Sequence, residues 1–318
     1  MTALQEPPAP IAPPAPIAPP ARVEPPAPPR RPRFEGPARG TPAWVVRTSM
    51  LWLAAVAVGF AFDIAVVTDL QYRAAQAHDY ATLRESLALA TTPVSQTDLD
   101  GNLTPVGTPI ALITIPRIGV ENVVVVEGTS SEALQRGPGH QRDTRFPGQP
   151  GVSVLQGRQA AFGGPFGDID RLRVGDEITV LTGQDRSTFR VSGQRREGDP
   201  IPPLADGGSR LTLVTAGGFP FAPHGLLRVD ATLLGDTKEP SVVYARDLPT
   251  AEQPLGSMPS TLPVTILALQ ALIIVVLLAV WGWQRWGRWR TWIAFGPVVV
   301  LAVVLIGGRI TLLLPNLL

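Results

Sequence analysis

The residues of this 318-residue chain that could do chemistry are few, and one class is missing altogether. There is no cysteine, which removes thiolate catalysis, thiolate metal sites and disulfides together. The hydroxyls to weigh as nucleophiles stand in strand-like runs, Ser153 in VSVLQ and Thr215 in LTLVTA, where Thr215 and its neighbour Ala216 point to opposite faces. Three histidines are available to move protons. His78 lies on a polar helix-forming run and His140 in a Gly/Pro loop; His224, in a loop after LTLVTA, is the best-placed general base. No Ser, His and Asp order supports a triad. Arg158, in QGRQAAFGGPF, and Arg228, in LLRVDATL, hold carboxylates well but exchange no proton near neutrality, since the guanidinium pKa exceeds about 12. Arg228, Asp230 and Thr232 share one strand face, and Leu227, Val229 and Ala231 the other. The pairs Gly163/Gly164 and Gly217/Gly218 lack the Lys-Ser/Thr of a phosphate loop. Asp168, Asp170, Asp176 and Glu177 read as turn chemistry, and no His/Asp/Glu cluster has metal spacing, so neither metal nor cofactor is expected.

The elements that must position these groups are short strands. Runs at 110–115, 122–127, 152–156, 177–182, 187–196, 210–215 and 226–233 are separated by turn signals, PRIG at 116–119 among them. Ser130 caps a short helix over 130–136, and GPGHQRDTRFPGQPG at 137–151 is too rich in Gly and Pro for regular structure. This pattern predicts a mainly β fold, with a closed barrel over 109–236.

On either side lie membrane segments. Residues 1–42 form a Pro/Ala-rich arm, repeating APIAPP, that reads as a disordered spacer. Transmembrane helix 1 is expected over 43–68, with one charge, Asp63, and a juxtamembrane helix and linker over 69–108. A linker at 237–260 leads to helix 2 at 261–283, a Trp/Arg loop at 284–291 and helix 3 at 292–315. Arg47 and the arginines before it, with Arg285, Arg288 and Arg290, put the N-terminus and the loop in the cytoplasm; the barrel and C-terminus are then outside. Trp281, Trp283, Trp286, Trp289 and Trp292 fit an interfacial aromatic belt. Net charge is only +1, so no nucleic-acid partner is expected.

The stretch TPIALITIPRIGVENVVVVEGTSSEALQRGPGHQRDTRFPGQPG resembles the first third of an actinobacterial sortase domain of class E/D-like type, and GGPFGDIDRLRVGDEITV resembles a further segment of it; the likeness covers roughly 108–234. It implies an eight-stranded barrel whose groove holds a cell-wall sorting peptide, and catalysis by Cys, His and Arg through a thioester. Residue by residue, Arg158 takes the place of the family's His and Ala216 that of its Cys, while Arg228 is the candidate for its Arg. Gln159, Thr215, His224 and His140 are groove candidates; relatives also carry the GPGH loop of His140.

With two of three catalytic groups replaced, the expectation is a membrane-anchored, catalytically inactive sortase-like protein, not an enzyme, that binds a peptide or protein at the outer face. An active transpeptidase or hydrolase using Ser153 or Thr215, and a structural module orienting the membrane helices, are the alternatives. Expected partners are the lipid bilayer and a cell-wall sorting peptide, an active sortase or another membrane protein.

Overall fold

The computed structural model describes residues 38, 41–97, 101–220, 222–242 and 247–318; the arm expected over 1–42 lies almost wholly outside them. The β-rich middle of the chain closes into an eight-stranded barrel in the order β1-β2-β3-β4-β7-β8-β6-β5. The strands are β1 (Pro109–Ile115), β2 (Val120–Glu127), β3 (Gly139–His140), β4 (Gly151–Gln156), β5 (Glu177–Thr182), β6 (Asp185–Arg196), β7 (Ser209–Phe219) and β8 (Ala222–Leu234). β2–β3 and β4–β7 pair in parallel; the other ladders are antiparallel, with β1 against β5 closing the ring. Period-two alternation sends Ile113, Leu155, Leu211, Leu213, Val229 and Ala231 into one core.

Three local expectations change. β3 forms inside the 137–151 loop: Gly139 has so little room that a Cβ there would meet the Gly128 carbonyl oxygen at 2.1 Å, and this lets β3 lie against β2. The helix expected over 130–136 shrinks to a 3-10 turn at Ala133–Gln135, with Ser130 Oγ accepting the Ala133 amide at 3.3 Å. The β7–β8 hairpin runs to Phe219 and resumes at Ala222, so His224 belongs to β8 rather than to a loop.

Among the described residues three helices are long and apolar enough to cross a membrane, one before the barrel and two after it. α1 (Pro42–Phe62) runs through a π-helical turn at Asp63–Val67 into α2 (Thr68–Ala88) without a break. α3 (Leu262–Trp286) and α4 (Arg288–Leu313) are parted only by Gly287 at φ 81°, so helix replaces most of the loop expected over 284–291. The tryptophans divide between packing and surface. Trp52 stacks on Trp292 with ring centroids 4.5 Å apart and meets Trp283 edge-on, whereas Trp281 and Trp289 stay exposed. Asp63 is buried against α4 where Gly307 leaves room; a Cβ at 307 would fall 1.9 Å from its Oδ2.

α2 is strapped to the barrel by polar side chains. Gln76 donates to the carbonyls of Val124 (3.1 Å) and Arg136 (2.6 Å) and accepts the Val124 amide (2.8 Å). One turn on, the buried Asp79 carboxylate takes a two-pronged grip from Arg136. Asp79→Ala should therefore destabilise the chain by about 2 kcal/mol, or roughly 3 °C in melting temperature at this size. A melt of the purified protein in detergent that does not move would show that α2 is not held by this pair.

Candidate functional site

The site is built where β4, β7 and β8 lie side by side. β4 pairs with β7 through Val152↔Arg210 and Val154↔Thr212, and β7 with β8 through Thr212↔Asp230, Val214↔Arg228 and Ala216↔Leu226. Paired residues share a face, so these side chains form one outward-facing floor while their neighbours fill the core. A cleft of about 560 Å³ opens over it, lined by Val152, Val154, Thr212, Val214 and Arg228 and by Arg195 and Arg196 from β6.

Charge on this floor is partly neutralised in place. Asp230 is held by Arg195, by the Thr212 hydroxyl at 2.7 Å and, at 3.9 Å, by Arg210. Burial pushes its carboxyl up, but these donors win and hold it below the usual carboxylate range. Arg228 lies opposite Arg195 across the β6–β8 ladder. Its side chain makes no ion pair with any described residue.

At the end of β4 the chain turns through Gly157, where a Cβ would meet the Phe166 ring at 2.5 Å, and places Arg158 beside the end of β7. Gly157 N–H donates to the Val214 carbonyl at 3.0 Å, and the Thr215 hydroxyl donates to the Gly157 carbonyl at 2.9 Å. Positions 158 and 216 thus lie on adjoining chain segments, and both are 1% exposed. Arg158 does not reach the cleft. It donates to the main-chain oxygens of Leu318 (2.9 Å) and Ser131 (3.0 Å), and its guanidinium lies 5.0 Å from the centre of the Phe162 ring. Burial lowers its pKa to about 10, so it is a cation at neutral pH.

The other sequence candidates fall around this point. Gln159 donates from its side chain to the Gly218 carbonyl at 2.7 Å. With Thr215, Ala216 and the Asp168 loop it lines a second cleft of about 640 Å³. His224 is exposed and turns to the Ala222 carbonyl at 2.9 Å, while Thr215 bonds away from it, so the two form no nucleophile–base pair. Ser153 is buried. His140 is buried too, between Glu127 (2.9 Å) and the Arg145 carbonyl (2.9 Å), where it fixes the 128–145 connection. Among the described residues no group of three or more His, Asp or Glu could hold a metal ion. Sequence reasoning missed Thr129, Ser131 and residues 316–318, which close over Arg158 and Ala216; the buried TSS run after EG was the local sign of it.

Residues 113–228 match the family model of the sortase domain. Sortase D of Bacillus subtilis (strain 168) is 28% identical over 85 residues, which make up 27% of this chain and 41% of that protein, so the chain spans under half of that relative. Among solved structures, a sortase D5 transpeptidase of Clostridium perfringens is 23% identical, with 51% of this chain and 99% of that chain covered and a TM-score of 0.42. Sortase E of Streptomyces avermitilis is 32% identical, with 43% and 93% covered and a TM-score of 0.36. The match to the sortase domain overturns the expectation that the chain is not an enzyme. The missing thiol excludes thiolate chemistry and nothing wider.

The His140 pair has a measurable consequence. Burial lowers the imidazole, but Glu127, the Arg145 carbonyl and Asp143 outweigh it and leave the folded-state pKa above the ordinary 6.5. The stabilisation is therefore complete below about pH 6.5 and lost as pH rises through the raised folded value. Melting temperature should fall as pH rises above about 6.5 and through the raised folded value, and His140→Gln should flatten that slope. An equal slope in the variant would assign it to other groups.

Proposed function

Through residues 113–228 the chain belongs to the sortase family, and we propose that it is a membrane-anchored barrel whose groove on β4, β7 and β8 takes up an extended peptide at the outer face. The supporting observation is the 560 Å³ cleft, floored by Val152, Val154, Thr212 and Val214 and flanked by the unengaged guanidinium of Arg228. Aliphatic floor residues suit the side chains of an extended segment, and Arg228 suits a carboxylate or a main-chain carbonyl. In this reading Arg158, Ala216 and Arg228 stand at the positions of the family's His, Cys and Arg. The sorting-type peptide is then bound by the floor and by Arg228, and Arg158 acts from behind the surface.

Domain limits follow the same reading, with the barrel over 109–236 between one membrane helix before it and two after it. Arg47 and the Arg285, Arg288 and Arg290 cluster favour the cytoplasmic side for the start of α1 and the α3–α4 turn. That arrangement puts the barrel on the outer face, where a cell-wall peptide or another membrane protein is within reach.

The test is fluorescence anisotropy of the purified full chain with labelled sorting-type peptides, each made with and without an acidic residue. Arg228→Ala should weaken the acidic peptide about tenfold, ~1.4 kcal/mol, and the neutral one less. Affinity for the acidic peptide should also fall as salt rises. Equal affinities for both peptides in both proteins would sink the role of Arg228. Absence of binding, with the groove freed as described below, would sink the groove itself.

A further inference from the structure

Residues 314–318 leave the end of α4 through Leu314 at ψ 156°, fold into a turn closed by the Leu318 amide on the Pro315 carbonyl at 3.1 Å, and cross onto the site. They are held as a bound peptide is held. Asn316 donates its amide to the Gly256 carbonyl (2.8 Å) and its side chain to the carbonyls of Thr129 (2.7 Å) and Gln253 (3.0 Å). The Leu317 carbonyl accepts the Gln159 amide at 2.8 Å, and the Leu318 main-chain oxygen accepts from Arg158 at 2.9 Å. The Leu317 and Leu318 side chains are buried against Leu134, Val214 and Ala216. Val214 and Ala216 belong to the outward floor of β7, so this segment covers the end of the same groove. Main-chain hydrogen bonds combined with pockets for successive side chains are the pattern of peptide recognition.

The fit leaves polar atoms wanting. Arg158 Nε, Ser131 Oγ and Asn316 Oδ1 are buried without a hydrogen-bond partner. Such groups cost free energy wherever they remain unpaired. An occupant that leaves them so is easier to displace than one that satisfies them.

We propose that residues 314–318 are a built-in occupant of the groove, closing the Ala216 end in cis, and that an incoming peptide with paired aliphatic side chains must displace them. The displacement step rests on the peptide-groove reading above; the occupancy does not. Because the segment follows α4 directly, and Thr311 of α4 accepts from Gln135 beside the site at 3.1 Å, the membrane hairpin and the groove are joined through it.

The experiment is hydrogen exchange and peptide binding on the full chain in lipid nanodiscs. The probe is the synthetic amidated pentapeptide LPNLL. In the unchanged protein the Gln159 amide should be protected. In Leu317→Ala/Leu318→Ala it should exchange at least tenfold faster, while amides of β7 stay protected and report an intact barrel. The pentapeptide should bind the double variant at least tenfold more tightly than the unchanged chain. Should the double variant lose β7 protection, Arg158→Lys, which keeps the charge but not the two-pronged reach, is read in the same two ways. Unchanged exchange at Gln159 overturns the occupancy, whatever the peptide does. Faster exchange with no binding to either protein overturns the groove reading and the displacement step with it. Faster exchange with equal affinities overturns the displacement step alone.

Discussion

A guanidinium removed from water has to be satisfied where it lies, and Arg158 sets that condition for the whole site. Its hydrogen-bond partners are the main-chain oxygens of Ser131 and Leu318, with the Phe162 ring beside it. An isolated buried charge costs several kcal/mol unless such donors and acceptors converge on it. Three stretches far apart in the chain therefore depend on one side chain: the β2–β3 connection, the turn after β4 and the segment after α4. Ala216 is buried under the last of these stretches, where Leu317 and Leu318 pack.

The membrane helices obey the same economy of close approach. Trp52 of α1 packs between Trp283 and Trp292, and at the other end of the contact Gly307 leaves room for the Asp63 carboxylate. Large rings fill space near the α3–α4 turn, and a missing side chain makes space near the barrel. α4 is thus fixed against α1 before its last residues reach the site.

The closed barrel was legible because its longer strands are runs of Val, Ile and Leu that alternate between core and surface, and the membrane helices because their apolar runs are long. β3 was not, since two residues between glycines and prolines carry no alternation. Nor was the length of the β7–β8 hairpin, whose glycines read as a loop and misplaced His224. At the site, the sequence supplied positions 158 and 216 only through family resemblance. The partners of Arg158 lie 27 and 160 positions away, and no local pattern reaches so far. The inference from absent Cys and His to absent enzyme failed for a different reason: it treated the loss of one mechanism as the loss of all.

The unbroken join of α1 to α2 has a geometric consequence. The helix from Pro42 to Ala88 is 47 residues long, about 70 Å at 1.5 Å per residue, against a hydrocarbon layer of about 30 Å. The excess, α2, runs beside the barrel and is lashed to it at Gln76 and Asp79. The barrel therefore rides alongside α2 rather than on its tip, and Arg158 shares an apolar pocket with Phe60 and Ile64 of the long helix and with Gly307 and Ile310 of α4.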